Sequence, residues 1–164
     1  MQQHFSTLAR YNRWANRRLY EAVAALPDAD YRREMGAFFG SLRGTLNHLL
    51  VADRIWLQRI TGEGTSPARL DEILHDDFPS LREARAAEDE RIIRVVDGLG
   101  EERLAGTFGY RNLKGQAFEQ ELAPVLAHFF NHQTHHRGQA HTLLTQLGRA
   151  APELDLIYFL REQG

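Results

Sequence analysis

Histidines are the residues of this chain best suited to chemistry, and they are clustered. The sequence has eight histidines in 164 residues, and four of them, His128, His132, His135 and His136, fall close together. Two histidines four positions apart on one helix can direct both imidazoles at a single metal ion. Neutral imidazole binds Zn(II), Ni(II), Fe(II) and Cu(II) well, so this spacing indicates a candidate metal site. The chain has no cysteine, so nitrogen and oxygen atoms would have to hold the metal.

The helical pattern separates these histidines from one another. At about 100° per residue, His132 and His136 fall within the apolar stripe of their helix, whereas His128 and His135 lie at its edge and His141 on the opposite side. The stripe consists of Leu122, Val125, Phe129, Ala140, Leu143 and Leu147. Two adjacent imidazoles in a low-dielectric interior need polar partners, which a metal would supply. The residues alone leave open whether the pair binds a metal or consists of core histidines with ordinary hydrogen bonds.

A third ligand would have to come from another helix. His48 is the histidine found in another strongly patterned helix, while His4 lies at the N-terminus and His75 in a connecting segment. His48 sits on the flank of its apolar stripe, a position that permits an inward-pointing imidazole without requiring one.

Composition excludes several classes of protein. The net charge of -2 and the absence of a basic stripe argue against nucleic acid as a partner. No segment approaches the ~20 apolar residues of a membrane span. Residues 1–18 are polar and lack the apolar core of a signal peptide, which predicts a cytoplasmic location.

The chain predicts four long helices. Apolar residues at spacings of three and four indicate helices over residues 4–26 and 41–61, the first stopped by Pro27 and the second by Gly62. Residues 28–36 and 65–79 are predicted to be loops. Ser80, with Glu83 three residues later, suggests a capping box at the start of a third helix that runs to about residue 99.

The C-terminal third adds an irregular insert and a last long helix. Residues 107–121 predict a short β-hairpin or extended segment around the turn at 112–115. The fourth helix begins near Leu122, with Pro124 in its first turn, and ends at Gly148. A short helix over 153–160 completes the chain. We therefore expect one all-α domain over residues 1–164, a four-helix bundle whose long connections, 62–79 and 100–121, can cross the bundle.

Three segments together resemble the DinB family, which groups DinB/YfiT-like proteins suspected to be metalloenzymes. The segments are Asn131–Gln139 with its His-x-x-x-His spacing, Tyr11–Asn16 near the start, and Leu46–Leu50 followed by Asp53, Ile55 and Trp56. The resemblance covers most of the chain in the same order. It implies a four-helix bundle of irregular topology, a metal held by His48, His132 and His136, and frequently a homodimer.

Such a site would leave at least one metal position open, which suits catalysis on a small-molecule substrate. Zn and Ni are the simplest candidates for the metal, and Fe is a third. Each can activate water or a low-molecular-weight thiol when bound. Groups expected to orient the imidazoles are Asp53, Asn131, His135 and Gln139. Asp53 lies in an apolar stripe, and a buried hydrogen bond or an ion pair would explain it equally well. Aromatic residues that could line a pocket, or simply fill the core, are Tyr11, Trp14 and Trp56.

Two functions follow from these observations. One is a metal-dependent enzyme that performs thiol transfer or hydrolysis. The other is a non-catalytic metal-binding protein of a stress or damage response. An open metal position beside a pocket would favour the enzyme, whereas a fourth protein ligand such as Asp53 or His135 would favour the non-catalytic protein.

Overall fold

Four long helices pack side by side in the computed structural model, which describes residues 1–164. The helices are α1 (Gln2–Ala24), α2 (Asp28–Arg32), α3 (Leu42–Thr61), α4 (Phe78–Asp97), α5 (Glu101–Ala105), α6 (Leu122–Gln146) and α7 (Leu156–Gln163), and the strands are β1 (Thr107–Arg111) and β2 (Ala117–Glu121). The predicted all-α bundle with a hairpin before the last long helix is confirmed. None of the helices is both long and apolar enough to cross a membrane.

The boundaries of the long helices follow from local chemistry. The side chain of Ser41 caps α3 by accepting a hydrogen bond from the Gly44 N–H, and Gly62 ends the helix in the left-handed conformation with φ of 75°. Pro124 lies in the first turn of α6, where its missing N–H costs nothing. The two strands pair antiparallel, with Thr107 opposite Glu121 and Arg111 opposite Ala117.

Several predicted boundaries were wrong. The cap of α4 is Asp77 rather than Ser80, because Pro79 fits within a first helical turn and the Asp77 carboxylate accepts from the Ser80 N–H. The predicted loop 28–36 contains the short helix α2, and α5 lies in the connection before the hairpin. The C-terminal helix begins at Leu156, three residues later than predicted.

The order of the helices departs from a simple up-and-down bundle. Helix α1 packs against α4 and α6, and α3 packs against the same two helices, so α1 and α3 lie diagonally opposite. Hydrogen bonds from Ser6 to Asp97 and from Asn16 to Asp89 make α1 antiparallel to α4. Asp53 of α3 pairs with Arg85 of α4, and Arg54 pairs with the later residue Glu88. Residue numbers therefore increase in the same direction along both helices, which makes α3 and α4 parallel. Residues 62–77 must therefore travel back along the bundle.

The core has two apolar parts separated by a polar layer. One apolar cluster contains Phe5, Leu57, Ile92 and Phe129, and the other contains Leu19, Leu46, Leu81 and Leu143. On each long helix, buried polar residues lie between these two clusters. We call them the polar layer; it comprises Asn12, Asn16, Asp53, Arg85, Asp89, Gln133 and Arg137.

Hydrogen bonds and ion pairs join the polar layer across all four long helices. Arg85 donates to Asp53 at 2.5 Å and lies 3.0 Å from Asp89, and Gln133 also donates to Asp53. Burial acts to lower the pKa of Arg85, but the carboxylates of Asp89 and Asp53 outweigh it and hold the pKa above its ordinary value. Asp53 thus forms the ion pair that its position in an apolar stripe suggested as an alternative.

Replacing Asp53 with alanine should lower the free energy of unfolding by about 3 kcal/mol, because Arg85 would keep only Asp89 as a partner and Gln133 would lose its acceptor, which leaves buried donors unsatisfied. Urea denaturation followed by circular dichroism measures the change. Asp97→Ala is the matched control, since it breaks an Arg10–Asp97 pair whose side chains are 43% and 38% exposed. That loss should stay below about 1 kcal/mol. Equal losses in the two variants would contradict the structural role of the polar layer.

Candidate metal centre

Helices α3 and α6 bring three histidines together. His132 and His136 lie one turn apart on α6, and their ring centroids are 4.3 Å apart. Helix α3 runs antiparallel beside them and places His48 against both, with its Nε2 3.3 Å from Nε2 of His132. One ring nitrogen from each histidine lies within 4.8 Å of the others, and no other histidine or carboxylate joins this group.

Hydrogen bonds at the far side of two rings determine which nitrogen faces the cluster. Nδ1 of His48 lies 2.8 Å from the carbonyl oxygen of Leu70. A carbonyl can only accept, so this Nδ1 carries the proton and Nε2 presents a lone pair. Nδ1 of His136 lies 2.7 Å from Oε1 of Gln139 and donates to it in the same way. Nε2 of Gln139 lies 3.2 Å from Nε2 of His135, so the amide bridges the two histidines.

The surroundings keep the three imidazoles neutral. Burial lowers the pKa of His48 to about 4, although its hydrogen bond to Leu70 acts in the opposite direction. Burial and then the neighbouring histidines lower the pKa of His132 to about 3. Burial also lowers the pKa of His136, against the effect of Gln139. Neutral imidazoles are the form that binds metal, so the cluster has metal-binding nitrogens at neutral pH.

The donor set fits a divalent metal ion. Two nitrogens bound at about 2.0–2.1 Å to one tetrahedral ion lie roughly 3.3 Å apart, so the 3.3 Å between His48 and His132 needs little change. Nε2 of His48 and Nε2 of His136 are both unprotonated and close together in a largely buried site, where one cation would satisfy both. Three imidazole nitrogens suit Zn(II), Ni(II) and Fe(II).

Of the four residues predicted to support the ligands, two lie at the cluster and two do not. Gln139 contacts His136 directly, and His135 contacts Gln139. Asp53 is bound within the polar layer by Arg85 and Gln133 rather than to a ligand. Asn131 is exposed and its side chain makes no hydrogen bond to the three histidines.

Of the three aromatic residues predicted to line a pocket, only Trp56 lies near the histidines. Tyr11 and Trp14 pack with Phe159 of α7, away from the histidines, and so belong to the core. Trp56 lies nearer the cluster, since its ring is 5.5 Å from that of His128, which in turn is 5.9 Å from His132. A groove of about 520 Å³ runs beside them and is lined by Trp56, Tyr110, Gln120, Glu121, Pro124, Val125 and His128.

Sequence reasoning missed two residues that hold His48 in place. The ring of Phe39 stacks on His48 with centroids 3.8 Å apart and planes inclined by 17°. Leu70 supplies the carbonyl oxygen described above, from the connection that travels back along α3. Neither residue lies in a helical pattern, so no periodicity pointed to them. Gly44 is a local signal, because a Cβ there would lie 1.9 Å from the carbonyl oxygen of Phe39.

The fold and the site together define a class of protein: an all-α bundle with a three-histidine cluster suited to a divalent metal. The chain matches the DinB family over residues 1–163 and belongs to that family. It is similar to "Protein DinB" of Bacillus subtilis (strain 168), with 28% identity over 162 residues that cover 93% of this chain and 91% of that protein.

A solved structure supports the fold. The crystal structure of a DinB-like protein from Bacillus cereus ATCC 10987 superposes with a TM-score of 0.66 at 16% sequence identity. The match covers 85% of this chain and 89% of that one. The same helical architecture therefore occurs in a distant sequence.

His48 and His132 should make the metal-free protein less stable as the pH falls below about 6.5. Folding lowers the pKa of His48 and His132. Above the unfolded pKa near 6.5 the two imidazoles are neutral in the folded and the unfolded protein alike, so they do not reduce the free energy of unfolding. At lower pH the unfolded chain binds more protons, and stability falls progressively towards the folded pKa values near 4 and 3. Urea midpoints measured in chelator between roughly pH 7 and 5 report this slope.

The His132→Gln variant should reduce the slope, and His141→Gln should leave it unchanged because His141 lies outside the cluster. A slope in the His132→Gln variant as steep as that of the parent protein would show that the cluster is not its source.

Gly44→Ala should weaken metal binding, because the new methyl group would push Phe39 away and loosen the stacking that holds His48. We expect the Kd for Zn(II), measured by competition with a chromogenic chelator, to rise at least about tenfold, as changes in ligand-supporting groups commonly do. Gly138→Ala on α6 is the control, since its Cβ meets nothing within 4 Å. An unchanged Kd in a folded Gly44→Ala protein would mean that Phe39 does not position His48.

Proposed function

We propose that this protein is a divalent-metal-dependent enzyme that transfers a thiol to, or hydrolyses, a small-molecule substrate. The observation that supports it most is the histidine cluster itself: three neutral imidazole nitrogens converge, and no fourth protein ligand joins them. Asp53 and His135, the side chains that would have closed the site, are bound to Arg85 and Gln139 instead. A site with three protein ligands leaves room for a reactant.

The environment of the cluster also favours catalysis over simple stabilisation. His132 is half-buried rather than enclosed, and it lies beside the groove that Trp56, Tyr110 and His128 line. A groove of about 520 Å³ is within the usual size range of small-molecule sites. Substrate could therefore approach from the His132 side of the cluster.

The protein's own residues would divide the work. His48, His132 and His136 would hold a Zn(II), Ni(II) or Fe(II) ion, and such an ion acts as a Lewis acid that makes a thiol or water easier to deprotonate. Leu70 and Gln139 keep Nδ1 of two ligands protonated and so aim Nε2 inward. His128 is exposed in the groove next to His132 and can take the proton released from the nucleophile.

The groove has features that would select a substrate. The guanidinium of Arg59 lies 4.7 Å from the ring centroid of Trp56 and 5.1 Å from that of Tyr110. Arg59 packs on these two rings but does not line the groove, which holds the carboxylate of Glu121 and no arginine or lysine. The exposed aromatic surface of Trp56 and Tyr110 therefore favours a ligand with an apolar body. Since the chain has no cysteine, the thiol in a transfer reaction would be an external low-molecular-weight thiol.

We also propose that the protein acts as a homodimer in the cytoplasm. Phe38, next to the Phe39 that stacks on His48, exposes 84% of its surface, and Leu70 exposes 51%. Apolar side chains exposed beside the cluster are surface that a second copy could bury.

Elemental analysis of variants tests the ligand set. His48→Ala, His132→Ala and His136→Ala should each lose most of the bound metal that natively purified protein retains, because two imidazoles rarely suffice for tight binding. The control is His141→Ala, which removes a histidine of the same helix outside the cluster and should keep full stoichiometry. Metal retained at the parental level in His48→Ala and His132→Ala would disprove the assignment.

The same proteins distinguish an enzyme from a non-catalytic metal protein. Parent protein loaded with Zn(II), Ni(II) or Fe(II) is incubated with a thiol and an electrophilic substrate, or with ester and amide substrates. We expect turnover that the His132→Ala variant lacks and that His128→Ala reduces without loss of metal. Full metal occupancy with no turnover across this panel would favour the non-catalytic alternative.

A further inference from the structure

A second cavity opens on the other side of the bundle, between α1, α4 and α7. Its volume is about 570 Å³, within the range typical of small-molecule sites. It shares no residue with the histidine cluster or with the groove beside Trp56. Its apolar walls include Trp14, Tyr20 and Phe159.

The charges around this cavity are unlike those of the whole protein. Five arginines line it, at Arg10, Arg13, Arg17, Arg82 and Arg85, whereas its carboxylates are Asp89 and Glu90. The chain as a whole has a net charge of -2, so the positive charge is concentrated locally. Arginines outnumber carboxylates five to two in the lining, and an excess of one sign of charge in a concave site attracts ligands of the opposite sign.

Two of these arginines are available to a ligand. Arg82 is exposed and makes no ion pair within the protein. Arg17 reaches Glu21 only at 3.9 Å, with its side chain 71% exposed. The others are engaged: Arg10 binds Asp97 through two hydrogen bonds, and Arg13 binds Glu90 at 2.8 Å.

Two of the residues that line the cavity carry buried donors without acceptors. The Tyr20 hydroxyl and Nε of Arg85 have no hydrogen-bond partner, and both side chains are 2% exposed. A buried polar group without a partner is costly and uncommon. The charge of Arg85 is compensated by Asp53 and Asp89, so the positive charge that a ligand can reach comes from Arg82 and Arg17.

From this juxtaposition we infer that the cavity between α1, α4 and α7 binds a small organic anion, with Arg82 and Arg17 contacting its carboxylate or phosphate. The apolar body of the ligand packs against the surface that Trp14 and Phe159 present to the cavity. Guanidinium groups recognise carboxylate and phosphate alike, so the two anionic groups are separate arms of the test.

Helix α7 supplies one wall of the site through Phe159 and Gln163. It is held to α1 by the Trp14 indole N–H, which donates to Glu162 at 2.7 Å, and by Arg18, which lies 3.5 Å from Glu162. The indole of Trp14 therefore reports on both the cavity and the docking of α7.

The two tryptophans make the test internally controlled, because Trp14 lines this cavity and Trp56 lines the groove near the histidines. Uniformly 15N-labelled protein gives one indole N–H signal for each, assigned with a Trp56→Phe variant. The probes share one aromatic body: 2-naphthoate, 2-naphthyl phosphate and the neutral 2-naphthamide. We expect 2-naphthoate or 2-naphthyl phosphate to shift the Trp14 signal saturably at roughly millimolar concentration or below while Trp56 stays in place. The tighter of the two anions identifies the anionic group.

Charge variants of α1 and α4 show whether the arginines are responsible. Arg82→Gln should weaken binding about fivefold, the usual effect of removing a charge-assisted contact at an accessible site. Arg17→Gln should have an effect in the same direction. Arg94→Gln is the control, since it removes an exposed arginine of α4 outside the cavity and should not change the affinity.

Three results would overturn the assignment: equal affinity for 2-naphthamide, equal weakening by Arg94→Gln and Arg82→Gln, or no saturable shift of Trp14 with either anion. None of these depends on metal, so the metal-dependent activity can stand or fall independently.

Discussion

The polar layer constrains the arrangement of the four long helices more than any other interaction. An apolar contact can slide by a residue at small cost, whereas a buried carboxylate or guanidinium has to meet its partner. The ion pair of Arg85 with Asp53 joins α4 to α3, and the hydrogen bonds of Asn12 and Asn16 with Asp89 join α1 to α4. The apolar clusters on either side can then pack in only one register.

The same layer sets the rotation of α6 and hence the direction of the candidate ligands. Gln133 and Arg137 each follow a histidine of the cluster by one position, which is about 100° around the helix. Gln133 donates to Asp53 of α3, and Arg137 donates to Asn12 of α1. With these residues held in the interior, His132 and His136 face α3, where His48 lies. The chemistry of the cluster therefore depends on an ion-pair network that contains none of its histidines.

Much of the fold and part of the site could be predicted from the sequence. The long helices have strong apolar periodicity, the hairpin has a turn between two aromatic segments, and His132 and His136 are related by a single helical turn. All of these features are local, so a few neighbouring residues are enough to specify them. The wrong boundary of α4 is also local: the predicted loop includes Pro79, although a proline fits the first turn of a helix, and the true cap is Asp77.

The sequence by itself determined the helices, the metal-binding chemistry of the histidine pair and the absence of cysteine ligands. Only the tertiary structure decided that His48 faces that pair, that Leu70 and Phe39 hold its ring, and that Asp53 is bound to Arg85 instead of the cluster. It also separated Tyr11 and Trp14 from the candidate centre and placed them with α7. The physical reason is that these contacts join segments far apart in the chain. Their formation depends on helix order and on the path of residues 62–77, which helical periodicity does not encode.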